Sequence, residues 1–121
     1  MARYERAKGA RGENEVAAIF RAHGFQCERV PASGGFRLKG DVYGNVPLHV
    51  EVKRCEQARP WQWIQKAELE AEPGVTPAVA FRRNRSAWYG MIRLDELARL
   101  VAVDAAHSRH LAESSALEVE R

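Results

Sequence analysis

Cysteine is scarce: Cys27 and Cys55 are the only two in 121 residues, and they share no motif spacing. That argues against a disulfide framework, fits no common zinc pattern, and leads to the expectation of a reduced, cytoplasmic protein. Long apolar runs are missing too; nothing approaches the ~20 residues of a membrane span. The opening MARYERAKGARGENE lacks the apolar stretch of a leader peptide. No membrane partner is expected. Disorder is equally disfavoured, because 45% of the residues are hydrophobic and 29% charged. At this length one domain can bury a core without metal or disulfide staples.

What charge there is has an uneven distribution. Residues 1–100 hold 17 Lys/Arg against 12 Asp/Glu, whereas residues 101–121 hold 2 against 4. A basic body with pI near 9.1 suits a polyanionic partner. The last stretch, AHSRHLAESSALEVER, is polar and short of large apolar residues. Residues 105–121 are therefore expected to be a frayed tail or a loosely docked helix behind a single domain spanning 1–104.

Val16, Ile19, Phe20 and His23 fall on one face of a helix that Gly24 stops. One turn back, the same face reaches Gly12 and Glu13. Glu13 is either an inward functional acid or a helix-start acid favoured by the macrodipole. FQCERV reads as a strand and PASGG as a loop; RLKGDVY and PLHVEVKR read as two strands around Gly44-Asn45. A helix follows between Pro60 and Pro73-Gly74, then strands in TPAVAFRR and AWYGMIRL, then a helix capped by Asp95. The order αβββαββα describes an α/β domain, a sheet flanked by helices.

The segment GDVYGNVPLHVEVKR carries the chemistry. Leu48, Val50 and Val52 alternate with His49, Glu51 and Lys53. A hairpin with Gly44, Asn45 and Val46 in its loop would pair Val42 with Leu48, Gly40 with Val50 and Leu38 with Val52, making one apolar face. The same register sets Asp41 opposite His49 and diagonal to Glu51, close enough for both carboxylates to meet one ion. Oxygen-only donors of this kind suit Mg²⁺ or Mn²⁺, and Lys53 points the same way. The competing reading is a solvated Asp/Glu/Lys face on an exposed sheet. His49 reads as a surface strand residue and His23 as a cover for the core edge. Trp61, Trp63, Trp88 and Tyr89 read as core or dimer surface ahead of base stacking. Arg82, Arg83 and Arg85 cluster in a hairpin turn, and Arg37 and Lys39 flank the acidic strand; each is either a phosphate contact or a solvated charge.

Asp41, nine intervening residues and Glu51-Val52-Lys53 together resemble the PD-(D/E)xK nuclease core. The preceding KGARGENEVAAIFRAHGFQCERVPASGG is similar to the opening of archaeal-type Holliday junction resolvases, including phage-borne relatives. The likeness covers roughly Lys8 to Arg54, with a fainter echo in TPAVAFRRN. It implies a restriction-endonuclease-like core, with a mixed sheet of about five strands flanked by helices, making 1–104 a nuclease domain. It implies that Asp41 and Glu51 bind Mg²⁺, with Mn²⁺ able to substitute, helped by the Val52 carbonyl. Lys53 would be the catalytic lysine and Glu13 the helix-one glutamate. Arg29 would lie near the scissile phosphate and Ser33 in a mobile loop. Asn14 stands where several members carry arginine. The implied activity is paired hydrolysis of branched DNA by a homodimer, in recombination and repair. A nuclease or nickase of the same core acting on other DNA, and a non-catalytic basic DNA-binding module, are the alternatives.

Overall fold

A computed structural model describes residues 2–31 and 40–120. Eight elements follow in order: α1 (Ala2–Ala22), β1 (Cys27–Arg29), β2 (Val42–Gly44), β3 (Leu48–Arg54), α2 (Pro60–Glu70), β4 (Thr76–Arg82), β5 (Tyr89–Ile92) and α3 (Leu94–Glu120). This is the αβββαββα order expected from periodicity. β3, β4 and β5 form a mixed three-stranded sheet, and β1 and β2 a small separate one, with helices flanking them.

α1 ends as its sequence dictates. Gly24 takes a positive φ of 94°, and the N–H groups of Gly24 and Phe25 return to the carbonyls of Arg21 and Phe20. The Phe20 and Phe25 rings then meet edge-on at 6.2 Å, the apolar contact that accompanies this stop. The buried face of α1 runs through Gly12, Val16 and Ala17, with Glu13 beside it. Ile19, expected on that face, is exposed, and Ala17 is fully buried in its place. His23 is also exposed, its Nδ1 2.9 Å from the Ile19 carbonyl, and covers no core.

The hairpin between β2 and β3 does not form. β2 instead pairs antiparallel with β1, Val42 against Arg29 and Gly44 against Cys27, while β3 runs parallel to β4 from Leu48–Thr76 to Arg54–Arg82. The turn region explains the difference. Asn45 exchanges two hydrogen bonds with Gln26, one through its backbone N–H and one through Oδ1. A side chain at Gly44 would run into the Gln26 carbonyl, so only glycine permits this approach. The expected pairs Val42–Leu48 and Gly40–Val50 therefore give way, and Leu38 lies outside the described residues. A backbone link to β3 survives: the Asp41 N–H donates to the Val50 carbonyl at 2.9 Å.

α2 is the crossover that a parallel pair requires, and it covers the sheet face opposite α1. Two cores result. Val16, Ala17, Cys27, Val42 and Val50 pack on the α1 side; Trp63, Ile64, Ala67 and Val79 pack on the α2 side. The alternation in β3 is thus not apolar-in and polar-out, because both faces are covered. Beyond β5, α3 continues as one helix to Glu120, about 40 Å long at 1.5 Å per residue. It starts at Leu94, so Asp95 lies in the first turn rather than capping it, its Oδ1 accepting the Glu96 N–H at 3.0 Å. Its described side chains from Val101 to Glu118 are exposed except Ser114. Among the described residues no helix is long and apolar enough to cross a membrane.

Candidate active site

β3 is the frame of the site. Its odd-numbered residues His49, Glu51 and Lys53 face α2 because successive strand residues point to opposite sides. His49 is 4% exposed and Glu51 3%, so neither belongs to a solvated row. His49 is no surface residue: its Nε2 lies 3.0 Å from Glu51 Oε1. Lys53, nearer the strand end, is half-buried.

Asp41 reaches β3 from its open edge. Its Oδ2 accepts the Val52 N–H at 2.7 Å, which locks the carboxylate beside the strand next to Glu51. Burial pushes the Glu51 carboxyl up to about 8, with a hydrogen bond to Glu70 and the charge and hydrogen bond of Asp41 adding to it, and Lys66 opposing. Two carboxyl groups held this close resist joint ionisation unless a cation joins them. Asp41 and Glu51 therefore converge as expected, although through a different backbone pairing.

Glu13 enters from α1 and joins the same cluster. Burial and then the Asp41 charge raise its carboxyl, while the hydrogen bond and charge of Arg29 lower it. The Arg29 Nε donates to Glu13 Oε2 at 3.3 Å. Glu13, Arg29, Asp41 and Glu51 thus form one electrostatic group drawn from α1, β1, the residue before β2, and β3.

The remaining sequence candidates sort by position. Arg82 is committed to packing: its Nη1 donates to Glu15 Oε2 at 3.3 Å and its guanidinium lies 5.8 Å from the Trp88 ring centroid. Arg83 and Arg85 are exposed in the β4–β5 turn, Arg85 with a φ of 60°, and among the described residues neither has a side-chain partner. Ser33, Arg37 and Lys39 lie outside the described residues.

Two residues near the site escaped the sequence reading. Lys66 and Glu70, on α2, approach Glu51. Ligand atoms of His49, Glu51 and Glu70 lie within 4.8 Å of one another, a spacing at which a metal ion could be held. The signal was present in α2: Trp63, Lys66, Ala67 and Glu70 form an i, i+3, i+4, i+7 stripe, so the stripe that buries Trp63 also aims Glu70 at the sheet.

An α/β sheet covered on both sides, with an Asp and a Glu-x-Lys strand meeting at its edge, is the arrangement of the PD-(D/E)xK nucleases. The family described as "Phage putative PDDEXK endonuclease" matches residues 4–118, and the chain belongs to it. The chain is also similar to Protein D14 of Escherichia phage T5, at 34% identity over 119 residues, covering 78% of this chain and 73% of that protein. No solved structure matches.

Proposed function

We propose that this nuclease is a homodimeric, Mg²⁺-dependent endonuclease that resolves four-way DNA junctions by paired phosphodiester hydrolysis. The observation that carries the hydrolytic part is the meeting of Asp41 with Glu51, a 3%-exposed carboxylate whose ionisation is opposed by its surroundings. Two hard oxygen donors of this kind suit Mg²⁺ or Mn²⁺. Asp41, Glu51 and the Val52 carbonyl would hold the ion. When bound, it would polarise the scissile phosphate and lower the pKa of a water.

The side chains divide the remaining work. Lys53 orients the attacking water or donates to the phosphate oxygen on which negative charge develops. Arg29, held in direction by Glu13, offers its guanidinium to the scissile phosphate. Arg83, Arg85, Arg37, Lys39 and Ser33 contact the flanking backbone, and Arg82 contributes charge from its fixed place beside Glu15. Support for junction substrates and for a dimer comes from the resemblance of residues 8–54 to junction resolvases. The family description speaks for an endonuclease and names no branched substrate.

The test compares a synthetic four-way junction with a linear duplex of the same sequence, each with Mg²⁺ and with chelator. Paired symmetric nicks in the junction alone, abolished by chelator, are expected. Cutting of both would assign a nuclease of broader substrate range, and no cutting of either would leave a DNA-binding module.

A further inference from the structure

The β4–β5 turn and the loop from β3 into α2 enclose a cavity of about 410 Å³ that none of the proposed metal-binding residues lines. Its volume lies within the span of ordinary ligand pockets, roughly 300–1,000 Å³. The cavity opens on the sheet face that carries Glu51 and Lys53. Lys53 pairs with Phe81 and Phe81 with Tyr89, so the active strand, the cavity floor and its outer wall lie in one row across the sheet. Cys55, on the cavity wall, is about 7 Å beyond Lys53 and about 13 Å beyond Glu51 at the rise of a strand. Those distances are about two to four nucleotides of duplex rise.

The walls are of two kinds. Trp63, Phe81 and Tyr89 form a continuous aromatic run, with ring centroids 5.9 Å and then 6.2 Å apart. The run leaves the core at Trp63 and ends on Tyr89, which is 61% exposed. Arg83 stands on the rim, its guanidinium uncommitted among the described residues, whereas Arg82 is tied to Glu15. The mouth is preformed. The Asn84 N–H donates to Glu56 Oε1 at 2.8 Å, tying the turn to the loop, and the Arg83 N–H donates to Ser86 Oγ at 3.2 Å. Glu56 repels phosphate from its side of the rim, which leaves the Arg83 side for the backbone and the aromatic side for an uncharged ring.

We propose that this cavity binds one unpaired nucleobase of the DNA substrate, stacked on Tyr89, with the adjoining phosphate against Arg83. The proposal rests on the reading of the chain as a DNA nuclease and adds to it a subsite for a base outside the helical stack, such as a bulged base or one displaced from the branch point on binding. Stacking on an aromatic ring tolerates any base, so the subsite reads unpairing and not sequence.

The test measures binding in chelator, by fluorescence anisotropy, to a four-way junction and to a duplex with one bulged nucleotide. In each, an abasic nucleotide is placed at successive positions around the branch or bulge. At one position the abasic substitution should weaken wild-type binding by roughly five- to a hundredfold. Tyr89→Ala should lose a similar factor on intact DNA and lose nothing more on the abasic probe, while Tyr89→Phe should behave as wild type. Additive losses at every position in both probes would overturn the subsite. So would a change in oligomeric mass on Tyr89→Ala, which would make Tyr89 a contact with a second copy. The same junction with Mg²⁺ separates the two claims: cleavage without coupling removes the subsite alone, and coupling without cleavage removes the hydrolytic reading alone.

Discussion

The two faces of β3 are buried to nearly the same depth and by similar means, a helix packed on each. They differ in what was buried. On the α1 side Val50 is 2% exposed and meets Val16, Ala17 and Val42, so burial there stabilises through removal of apolar surface from water. On the α2 side Glu51 is 3% exposed and meets His49, Asp41 and Glu70, so burial there opposes its own charge. Strand neighbours one residue apart thus serve opposite ends. One face holds the fold, and the other holds a carboxylate in a state that a cation would relieve.

Substitution on each face should separate these roles. The largest effect belongs to the acidic side: Asp41→Asn or Glu51→Gln should slow DNA cleavage by at least about a hundredfold. Binding to the same DNA in chelator should stay within a fewfold of wild type. Equal loss of binding and cleavage would break the comparison, since it would make the acids structural.

On the apolar side the expected result is reversed. Val50→Ala removes two buried methylene equivalents and leaves a cavity, at a cost of about 2–3 kcal/mol. Urea unfolding should register that loss with an unchanged slope, while the cleavage rate of the folded fraction stays near wild type. A large fall in that rate would show that the two faces are not separable.

pH offers a subtler probe. The folded carboxyl of Glu51 is raised from an ordinary 4.5 to about 8. The folded state therefore holds a proton that the unfolded chain releases, and this contribution to stability is complete below about pH 4.5. It declines as pH rises and is gone above about pH 8. Metal-free protein should accordingly lose thermal stability between those values, and Glu51→Gln should flatten the slope. Added Mg²⁺ should raise the midpoint more at pH 8 than at pH 5. A slope unchanged by Glu51→Gln would mean that another group titrates.

The smallest change concerns the partly exposed pair between α1 and β4. Glu15→Ala removes the acceptor of both Arg82 and Trp88 Nε1. Such contacts contribute about 0.2–1 kcal/mol, so the unfolding midpoint should shift only slightly. Freed from Glu15, Arg82 should raise DNA affinity in low salt and steepen its salt dependence.

Element order was legible because each segment has a clean period and clear stops, such as Gly24 after α1 and Pro60 at the start of α2. The convergence of Asp41 and Glu51 was legible as well, although the hairpin inferred to produce it was not the pairing that forms. Alternation in β3 fits a half-exposed hairpin and a doubly covered parallel strand equally well. His49 consequently read as a surface residue, and Lys66 and Glu70 drew no attention on their helix. Nothing local marks Gly44 as the point where the chain passes against Gln26.

The amino-acid order alone determined the succession of helices and strands and the acid–x–lysine spacing, because these depend on periods of 3.6 and 2 and on local stops. Which strands lie side by side was a tertiary decision, as was the placing of Glu51 beneath α2. Both depend on contacts between segments far apart in the chain, where the free energy of covering a face outweighs any preference of its neighbours in sequence.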